Sequence, residues 1–339
     1  MSGDQASRPP AMSDVAALAG VSHQTVSRVL NDHPSVLPAT RQRVLDAIAT
    51  LGYRRNLAAR ALVTRRTGTI GVLASGSALF GPTSTLIAIE RAARDAGLFV
   101  SVATLPQWRA GEVAGVLEHF MTEGVDGVVV IAAHDEAVEA VQAFGTPVPV
   151  VMVGPVGLPA PLRSVAVDQY TGARLAVRHL LDLGHRDVTH LAGPLDWFDA
   201  RRRIEGWHDE LTAAGVLAGE PIPGDWSADR GYAVGRELVA GGLPTAVFAA
   251  NDQLALGLLR AFAEAGVRVP GDVSVVGFDD VDGSAQFFPP LTTVRQEFTA
   301  LGERCMEVLL AAIAGEEGAS AGLIATSVVV RASSGPPRA

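Results

Sequence analysis

Two series of short apolar runs, each alternating with helical stretches, occupy the chain from residue 68 onward. The first series contains the runs TIGVLAS, LFVSVATL, VDGVVVIAA and PVPVVMVG, with helical stretches at 84–96, 111–123 and 135–144. The second contains DVTHLAG, TAVFAAN and VSVVGFDD, with helical stretches near 171–183, 200–214, 229–241 and 252–265. Runs of this kind alternating with helices are typical of a parallel sheet covered on both faces. The pattern predicts an α/β fold with two doubly wound lobes, completed by a helix near 298–314 and the strand TSVVVR.

The first 54 residues have a different pattern, with three short helices and no strand. Ser13 can cap the first helix and Ser22 the second, because a hydroxyl oxygen accepts a free N–H of the first turn. Gly20 suits the tight turn between them, and Pro38 suits the start of the third helix. Two short helices joined by a glycine-containing turn and followed by a third helix predict a helix-turn-helix domain over 12–54.

Charge is unevenly distributed along the chain. Residues 1–66 contain nine arginines and four aspartates, a net charge of +5, whereas the whole chain carries −9. The chain contains no lysine, so every basic contact comes from an arginine. A basic head on an acidic body indicates that only the head meets a polyanion.

The second short helix carries the side chains that best fit nucleic-acid recognition. Gln24 can bond adenine bidentately and Arg28 can bond guanine, and the two lie four residues apart on one face. His23 suits a base edge or a phosphate. The hydroxyls of Ser22, Thr25 and Ser27 suit phosphates or caps. The alternative is an ordinary solvated helix face, where polar residues are common.

Longer motifs resemble the lactose/galactose repressor family. The stretch MSDVAALAGVSHQTVSRVLNDHPSVLPATRQRVLDAIATLGYRRNLAARAL resembles the DNA-binding headpiece of that family along its whole length. The motifs LGHRDVTHLAGP, AANDQLALG, VSVVGFDD and PPLTTVRQ follow in the family's order, so the resemblance covers about residues 12–331. It implies a three-helix headpiece joined to a two-lobed core of the periplasmic-binding-protein type. It also implies a sequence-specific transcriptional repressor, not an enzyme, whose operator affinity is lowered by a sugar or glycoside.

The resemblance also implies a hinge that folds into a helix on DNA and pairs with its copy across a dimer. Leu62 occupies the position of the leucine that wedges into the central minor groove, an insertion that kinks the duplex. The family often has proline before the hinge asparagine, where this chain has Arg55. The residues expected to contact DNA are Met12, Ser22, His23, Gln24, Thr25, Ser27, Arg28, Asn31, Asn56, Ala59 and Leu62.

The family's effector lies between the two lobes, and matching positions here carry suitable side chains. Hydroxyl groups would be bound by Arg203, Asn251, Asp279 and Gln296, with Ser75 as a further hydrogen-bond partner. Trp226 would stack on the sugar ring, and Phe298 and Leu79 would add apolar wall. The alternatives are that Asp279 caps a turn, Asn251 caps the following helix, and Trp226 is a core residue.

Two positions depart from the family's sugar pocket. Gly154 stands where a member has a carboxylate at its sugar, and Val167 replaces a pocket aromatic. The effector is therefore expected to be a related glycoside or oligosaccharide, with Trp108 and Trp197 as residues that could compensate. A purine-like corepressor, which would tighten DNA binding, stays open as an alternative, as does an exported sugar-binding transport protein.

Cysteine use and hydropathy indicate the compartment. Cys305 is the only cysteine, so no intramolecular disulfide forms. No apolar stretch has the length of a signal peptide or of a membrane span, so we expect a cytoplasmic protein without membrane association. His179, His185 and His190 lack an accompanying carboxylate or thiol pattern, and structural roles are expected for them. We expect no metal, no cofactor and no catalytic residues.

The resemblance sets the expected domain boundaries. The headpiece covers 12–54 and the hinge 55–67, between disordered tails at 1–11 and 333–339. The N-terminal lobe combines 68–166 with 296–322, and the C-terminal lobe combines 167–295 with 323–332. The ending RASSGPPRA cannot form a leucine-heptad helix, so a homodimer on a palindromic operator is expected. The centre of that operator should be a pyrimidine–purine step, which kinks easily.

Overall fold

A computed structural model describes residues 10–54, 66–76, 78–316 and 322–338. The chain divides into two compact units, Met1–Thr67 and Gly68–Ala339. Asn56, Ala59 and Leu62 of the expected hinge lie outside the described residues, as do residues 1–9 of the expected N-terminal tail and residue 339.

In the first unit, the described residues 10–54 form a three-helix domain. Its helices are α1 (Met12–Ala19), α2 (His23–Leu30) and α3 (Pro38–Leu51). Val15, Val26 and Val44 are fully buried and come one from each helix, so a small common core holds the three together. Gly20 has a φ of 63°, a left-handed conformation that lets the chain turn sharply between α1 and α2. The predicted helix-turn-helix domain is confirmed.

The second unit contains two sheets. The first has six parallel strands in the order β10-β5-β4-β3-β1-β2. Its strands are β1 (Thr69–Ser75), β2 (Phe99–Leu105), β3 (Gly127–Ile131), β4 (Val150–Val153), β5 (Arg163–Val167) and β10 (Leu323–Ile324). One face is covered by α4 (Phe80–Asp95) and α11 (Phe298–Ile313), and the other by α5 (Ala110–Glu123) and α6 (Asp135–Phe144). We call this sheet with its helices the first lobe.

The second sheet has five strands in the order β11-β9-β8-β7-β6, parallel except for β11. Its strands are β6 (Val188–Leu191), β7 (Ala246–Ala249), β8 (Ser274–Asp279), β9 (Thr292–Gln296) and β11 (Thr326–Val329). Helices α7 (Gln169–Asp182) and α8 (Phe198–Ala213) cover one face. Helices α9 (Ala228–Gly241) and α10 (Asp252–Glu264) cover the other. This is the second lobe, and the predicted α/β fold with two doubly wound lobes is confirmed.

Residues 333–338 differ from the expected disordered tail. Ser333 is fully buried, accepts a hydrogen bond from the Thr292 N–H at 2.7 Å and donates to the Val275 carbonyl at 2.6 Å. Gly335 donates its N–H to Ser274 Oγ at 3.0 Å. The composition of this segment predicted disorder. In the structure its small residues pack closely against neighbouring strands, where Ser333 and Gly335 form hydrogen bonds.

Two further boundaries differ from the sequence expectation. The N-cap of α1 is Ala11, not Ser13, and the Ala11 N–H donates to the Asp14 carboxylate at 2.8 Å. Strand β10 pairs with β5, so Leu323 and Ile324 belong to the first lobe and not to the second. Short strands such as β5 and β10 carry too few residues for a clear period. Within the described residues, no helix is long and apolar enough to cross a bilayer.

Candidate functional site

The exposed face of α2 carries three polar side chains that have no partner among residues 10–54. His23, Gln24 and Arg28 are exposed. Within residues 10–54 their side chains form no hydrogen bond and no ion pair. Gln24 and Arg28 lie one turn apart on the same face, as the sequence predicted. A face of this kind can bind an external partner without first breaking internal contacts.

Both ends of α2 are fixed by side chains. At its start, Ser22 Oγ accepts the Thr25 N–H at 3.2 Å, and the two hydroxyls lie 2.9 Å apart. At its end, Arg41 donates to the Asp32 carboxylate at 2.6 Å and to the His33 carbonyl at 3.1 Å. Ser22 and Thr25 therefore serve the cap that was one of the two roles predicted for them, and the helix presents its polar face from a held position.

The remaining predicted DNA contacts of this unit lie around that face. Met12 begins α1 and packs partly against the core, Asn31 is the C-cap of α2, and the Ser27 carbonyl accepts the Asn31 N–H at 3.1 Å. Their contacts with DNA stay predictions.

A cleft lies within the second unit. Ser75 ends β1, Asp279 ends β8 and Gln296 ends β9, so the cleft opens at the carboxyl ends of parallel strands, where α/β folds place ligands. All of the residues predicted to bind the effector line it: Ser75, Leu79, Arg203, Trp226, Asn251, Asp279, Gln296 and Phe298.

Four buried polar side chains form a closed ring on the second-lobe side of the cleft. Arg203 Nε donates to Gln169 Oε1 at 2.9 Å, and Gln169 Nε2 donates to Gln296 Oε1 at 2.9 Å. Gln296 Nε2 donates to Asp279 Oδ1 at 2.6 Å, and the Arg203 guanidinium lies 3.8 Å from that oxygen. The ring runs from a guanidinium to a carboxylate, so each amide is oriented by its neighbours.

Arg203 is held on its other sides as well. Its guanidinium lies 3.8 Å from the centre of the Phe278 ring and 5.4 Å from that of the Trp226 indole, and it donates to the Ala250 carbonyl. Burial lowers the pKa of the guanidinium, and Asp279 is the largest of the nearby charges that oppose this shift. The side chain is 3% exposed and presents little freedom of movement.

Asp279 has both an unusual backbone and a shifted pKa. Its φ of 114° is rare for a residue with a side chain, and such conformations persist only where neighbouring structure enforces them. Asp252 provides that support, because it accepts hydrogen bonds from the Val281 N–H at 2.9 Å and the Ser284 hydroxyl at 2.5 Å. Burial raises the pKa of the Asp279 carboxyl to about 7, with Arg203 acting in the opposite direction.

Trp226 is held in place as rigidly as Arg203. Its φ is 70°, its side chain is 6% exposed, and the edge of its indole meets the Trp197 ring at a centroid distance of 5.5 Å. A Cβ at Gly193 would come within 2.2 Å of the indole, so only glycine leaves room for it. Trp226 both packs in the second-lobe core and lines the cleft.

Asn251 takes the structural role that the sequence left open. Its Oδ1 accepts the Leu254 N–H at 2.8 Å and caps α10, and its Nδ2 donates to the Trp226 carbonyl at 3.1 Å. Both ends of the amide therefore have partners inside the protein. At this position the side chain orients Trp226 and closes one side of the cleft.

The first-lobe wall of the cleft is mainly apolar. Phe80 and Phe298 meet edge to face at 5.6 Å, and Leu79 precedes α4. A Cβ at Gly154 would lie 2.3 Å from the Ala132 carbonyl oxygen, too close for any side chain without a backbone shift. The carboxylate that a family member has at this position cannot be accommodated here.

The two lobes contact each other beside the cleft. The Phe198 N–H donates to the Ala133 carbonyl at 3.0 Å, and the His134 ring meets Trp197 at a centroid distance of 5.0 Å. Trp197 lines the cleft, whereas Trp108 is 6% exposed and packs in the first-lobe core. Of the two tryptophans that could compensate for the altered pocket, only Trp197 is in position.

Sequence reasoning missed three polar residues of the cleft, which are Thr85, Gln169 and Asp199. Gln169 follows β5, which is too short to be recognised from the sequence. Because β5 was not predicted, the position of Gln169 after a strand end could not be used to identify it as a cleft residue. Asp199 lies one helical turn before Arg203 on α8, a spacing that could have identified it. Burial raises the pKa of the Asp199 carboxyl.

The three histidines of the second lobe have structural partners. His179 Nε2 lies 2.8 Å from Ser334 Oγ, and His185 Nε2 lies 2.9 Å from the Gly335 carbonyl. His190 Nδ1 donates to the Phe248 carbonyl at 2.9 Å, and its ring stacks on the Phe248 ring at a centroid distance of 4.6 Å. Burial lowers the pKa of His190 to about 4. Across the described residues, no three histidine, cysteine or carboxylate side chains meet in a group that could hold a metal ion.

Known proteins match both units of the chain. Residues 11–56 match bacterial regulatory proteins of the lacI family, and residues 177–334 match the periplasmic binding protein-like domain. The lactose operon repressor of Escherichia coli K12 is 37% identical over 326 residues, which are 96% of this chain and 90% of that protein.

Solved structures agree with the sequence match. The lac repressor dimer bound to operator and the anti-inducer ONPF has a TM-score of 0.84 and 36% identity, over 96% of this chain and 99% of that chain. The complex of the transcriptional regulator CelR with cellobiose has a TM-score of 0.71 and 34% identity, over 96% of this chain and 99% of that chain.

Proposed function

Because this chain belongs to the lacI family of bacterial regulatory proteins, we propose that it represses transcription from an operator that it releases on binding a sugar. The family membership predicted from the sequence is confirmed. The observation that carries the proposal is the cleft in which the Arg203–Gln169–Gln296–Asp279 ring faces the Trp226 indole. Sugar recognition requires this combination of fixed polar groups for hydroxyls and an aromatic face for C–H groups.

DNA recognition is assigned to the exposed face of α2. Gln24 and Arg28 contact base edges in the major groove, and His23 contacts a base edge or a phosphate. Ser22, Thr25, Ser27, Asn31 and Met12 lie beside the phosphates and fix the register of the helix. Each bidentate base contact contributes about 1–3 kcal/mol of discrimination.

The operator is a palindrome bound by a homodimer. Two copies of the headpiece engage two half-sites, as the twofold symmetry of such an operator requires. Asn56, Ala59 and Leu62 belong to a hinge that forms a helix on DNA and inserts Leu62 into the central minor groove. The lac repressor was solved as a dimer on operator, which supports the same arrangement here.

The effector is a sugar or glycoside held between the lobes. Arg203, Asp279 and Gln296 bind its hydroxyls, Trp226 stacks on its ring, and Ser75 donates or accepts one further hydrogen bond. Leu79 and Phe298 contact its less polar edge, while Asn251 holds Trp226 in place. The CelR complex with cellobiose supports a carbohydrate as the class of ligand.

Repression and release follow from linked equilibria. The sugar binds one arrangement of the protein better than the other, and operator DNA prefers the other arrangement, so each ligand weakens the binding of the other. A coupling of about 1–3 kcal/mol changes operator affinity roughly 5–150-fold. The protein acts in this way in the cytoplasm, where operator DNA lies, and has no catalytic role.

Operator affinity measured with and without sugars tests the proposal. The full-length protein is titrated onto a selected palindromic duplex by fluorescence anisotropy, alone and with glucose, galactose, lactose or cellobiose. We expect at least one sugar to weaken binding fivefold or more. Tighter binding with a purine base and no response to any sugar would favour a corepressor. No preference for any palindromic duplex at physiological salt would contradict the proposal.

A further inference from the structure

Asp199 presents an unused carboxylate to the cleft. It lies in the first turn of α8 and lines the cleft together with Arg203, which follows one turn later. Among the described residues, no donor forms a hydrogen bond or ion pair with its oxygens, although Arg203 lies near enough to stabilise its charge. The other carboxylate of the cleft, Asp279, is already bound by Gln296 and Arg203.

The opposite wall cannot supply such a group. The first-lobe residues that line the cleft carry no charge, and Ser75 and Thr85 are their only hydroxyls among the described residues. Gly154 has no room for a side chain, because a Cβ there would lie 2.3 Å from the Ala132 oxygen. The charged side chains that line the cleft therefore all come from the second lobe, and they are Asp199, Arg203 and Asp279.

The balance of these charges restricts the ligand. One guanidinium faces two carboxylates, and Asp279 already lies 3.8 Å from Arg203. With Asp199 ionised, no positive charge is left over for a phosphate or a carboxylate on the ligand, whether or not Asp279 holds a proton. A sugar hydroxyl, in contrast, can donate to an ionised carboxylate in a charge-assisted hydrogen bond.

We propose that Asp199 is the specificity-determining residue of this cleft, accepting a hydrogen bond from the effector and restricting it to uncharged sugars. Asp199 thus supplies, from the second lobe, the hydrogen-bond acceptor that a carboxylate at position 154 would supply from the first lobe. The hydroxyl-rich edge of the sugar faces Asp199, Arg203 and Asp279, and its less polar edge or second ring faces Phe80 and Phe298. This inference rests on the proposed function, since it concerns the same cleft.

Binding measurements on two variants of Asp199 test the inference. Asp199→Asn keeps the shape and removes the charge, and Asp199→Ala removes both. Glu205→Gln, on the same helix but half exposed and paired with Arg202, is the matched control. The probes are glucose, galactose, lactose and cellobiose, together with glucose 6-phosphate and galactose 6-phosphate. Binding is followed by calorimetry and by the fluorescence of the cleft tryptophans.

We expect the wild type and Glu205→Gln to bind at least one neutral sugar and neither phosphate. Both Asp199 variants should bind that sugar about 10–100-fold more weakly, the usual effect of losing a hydrogen bond to a charged group. Asp199→Asn should also reduce the difference in affinity between neutral and phosphorylated sugars. Unfolding curves should match those of the wild type, since Asp199 forms no hydrogen bond with any other described residue.

An affinity of Asp199→Asn within twofold of the wild type would overturn the inference, and so would a wild type that prefers a phosphorylated sugar. Neither result contradicts the proposed function. Conversely, a sugar that binds in an Asp199-dependent manner but leaves operator affinity unchanged would contradict the proposed switch and support the inference. A wild type that binds none of the neutral sugars would overturn the inference.

Discussion

The headpiece and the cleft use the same two residue types in opposite ways. On α2, Gln24 and Arg28 are exposed and have no partner within residues 10–54. In the cleft, Gln296 and Arg203 are buried and joined through Gln169 and Asp279. The side chains on α2 obtain polar partners only when DNA binds, whereas the side chains of the cleft ring already have polar partners before the sugar binds.

The difference has an energetic consequence. An exposed side chain without partners contributes little to folding, so its removal affects binding alone. A buried charge in a closed ring is different, because its removal leaves another buried group unsatisfied. Substitutions of Gln24 and Arg28 on α2 should therefore change affinity without changing stability, and substitutions in the ring should change both.

Arg203→Leu should have the largest effect. It leaves the Asp279 carboxylate buried without its cation, and such a loss lowers the free energy of unfolding by about 3–5 kcal/mol. Sugar binding should be lost as well. Urea unfolding and sugar titration measure the two effects, and Arg202→Leu, which removes a half-exposed neighbour, is the control. A variant as stable as the control would show that the ring does not hold the fold.

Arg28→Ala should come second and should separate affinity from stability. Loss of one bidentate base contact weakens operator binding by about 1–3 kcal/mol. The unfolding free energy should stay within about 0.5 kcal/mol of the wild type, as for exposed positions in general.

Arg43→Ala is the matched control for Arg28→Ala, because it removes the same charge from an exposed site on α3. Anisotropy titrations with single-base operator variants distinguish the two. Arg28→Ala should relax discrimination at one base pair, whereas Arg43→Ala should weaken all duplexes alike or none. Equal behaviour of the two variants would argue against base contact by Arg28.

The pH dependence of sugar binding tests the role of Asp279 in the ring without a substitution. The pKa of Asp279 is raised to about 7 by burial, so its carboxylate gains a proton as the pH falls below 7. An ionised carboxylate is the better acceptor for a sugar hydroxyl, so affinity should rise with pH and level off above 7. The expected change is at most about tenfold per pH unit below 7.

Fluorescence titrations between pH 5.5 and 8.5, with Asp279→Asn as the reference, measure this dependence. The variant should bind more weakly and with a flatter profile, in which Asp199 and Asp252 are carboxylates near Arg203 that still titrate. A wild-type affinity that is constant across this range would show that sugar binding is not coupled to the titration of Asp279.

Ser22→Ala should give the smallest effect. It tests a residue of the headpiece that contributes to stability. It removes the N-cap of α2 and should destabilise the first unit by about 0.5–2 kcal/mol. Ser13→Ala is the control, since the structure makes Ala11, not Ser13, the N-cap of α1. Thermal unfolding of the protein compares the two, and an equal loss in both would contradict the observed caps.

The sequence alone determined the two-part organisation and most of the cleft. Periodicity separates helices from buried strands because the two place apolar residues at different intervals. The resemblance to the lactose/galactose repressor family then placed Asp279, Asn251 and Arg203 in one site. The face of α2 followed from spacing within a single helix, which needs no tertiary information.

Only the tertiary structure decided how those side chains are used. Gln169 and Gln296 are far apart in sequence, and their hydrogen bond depends on how the first residue of α7 meets the last residue of β9. Asn251 has its amide occupied by a helix end and by Trp226, which composition cannot reveal. Gly154 lacks room because the carbonyl of a neighbouring strand lies where a Cβ would be. Local sequence encodes period and burial, whereas distances between separate segments are set by packing.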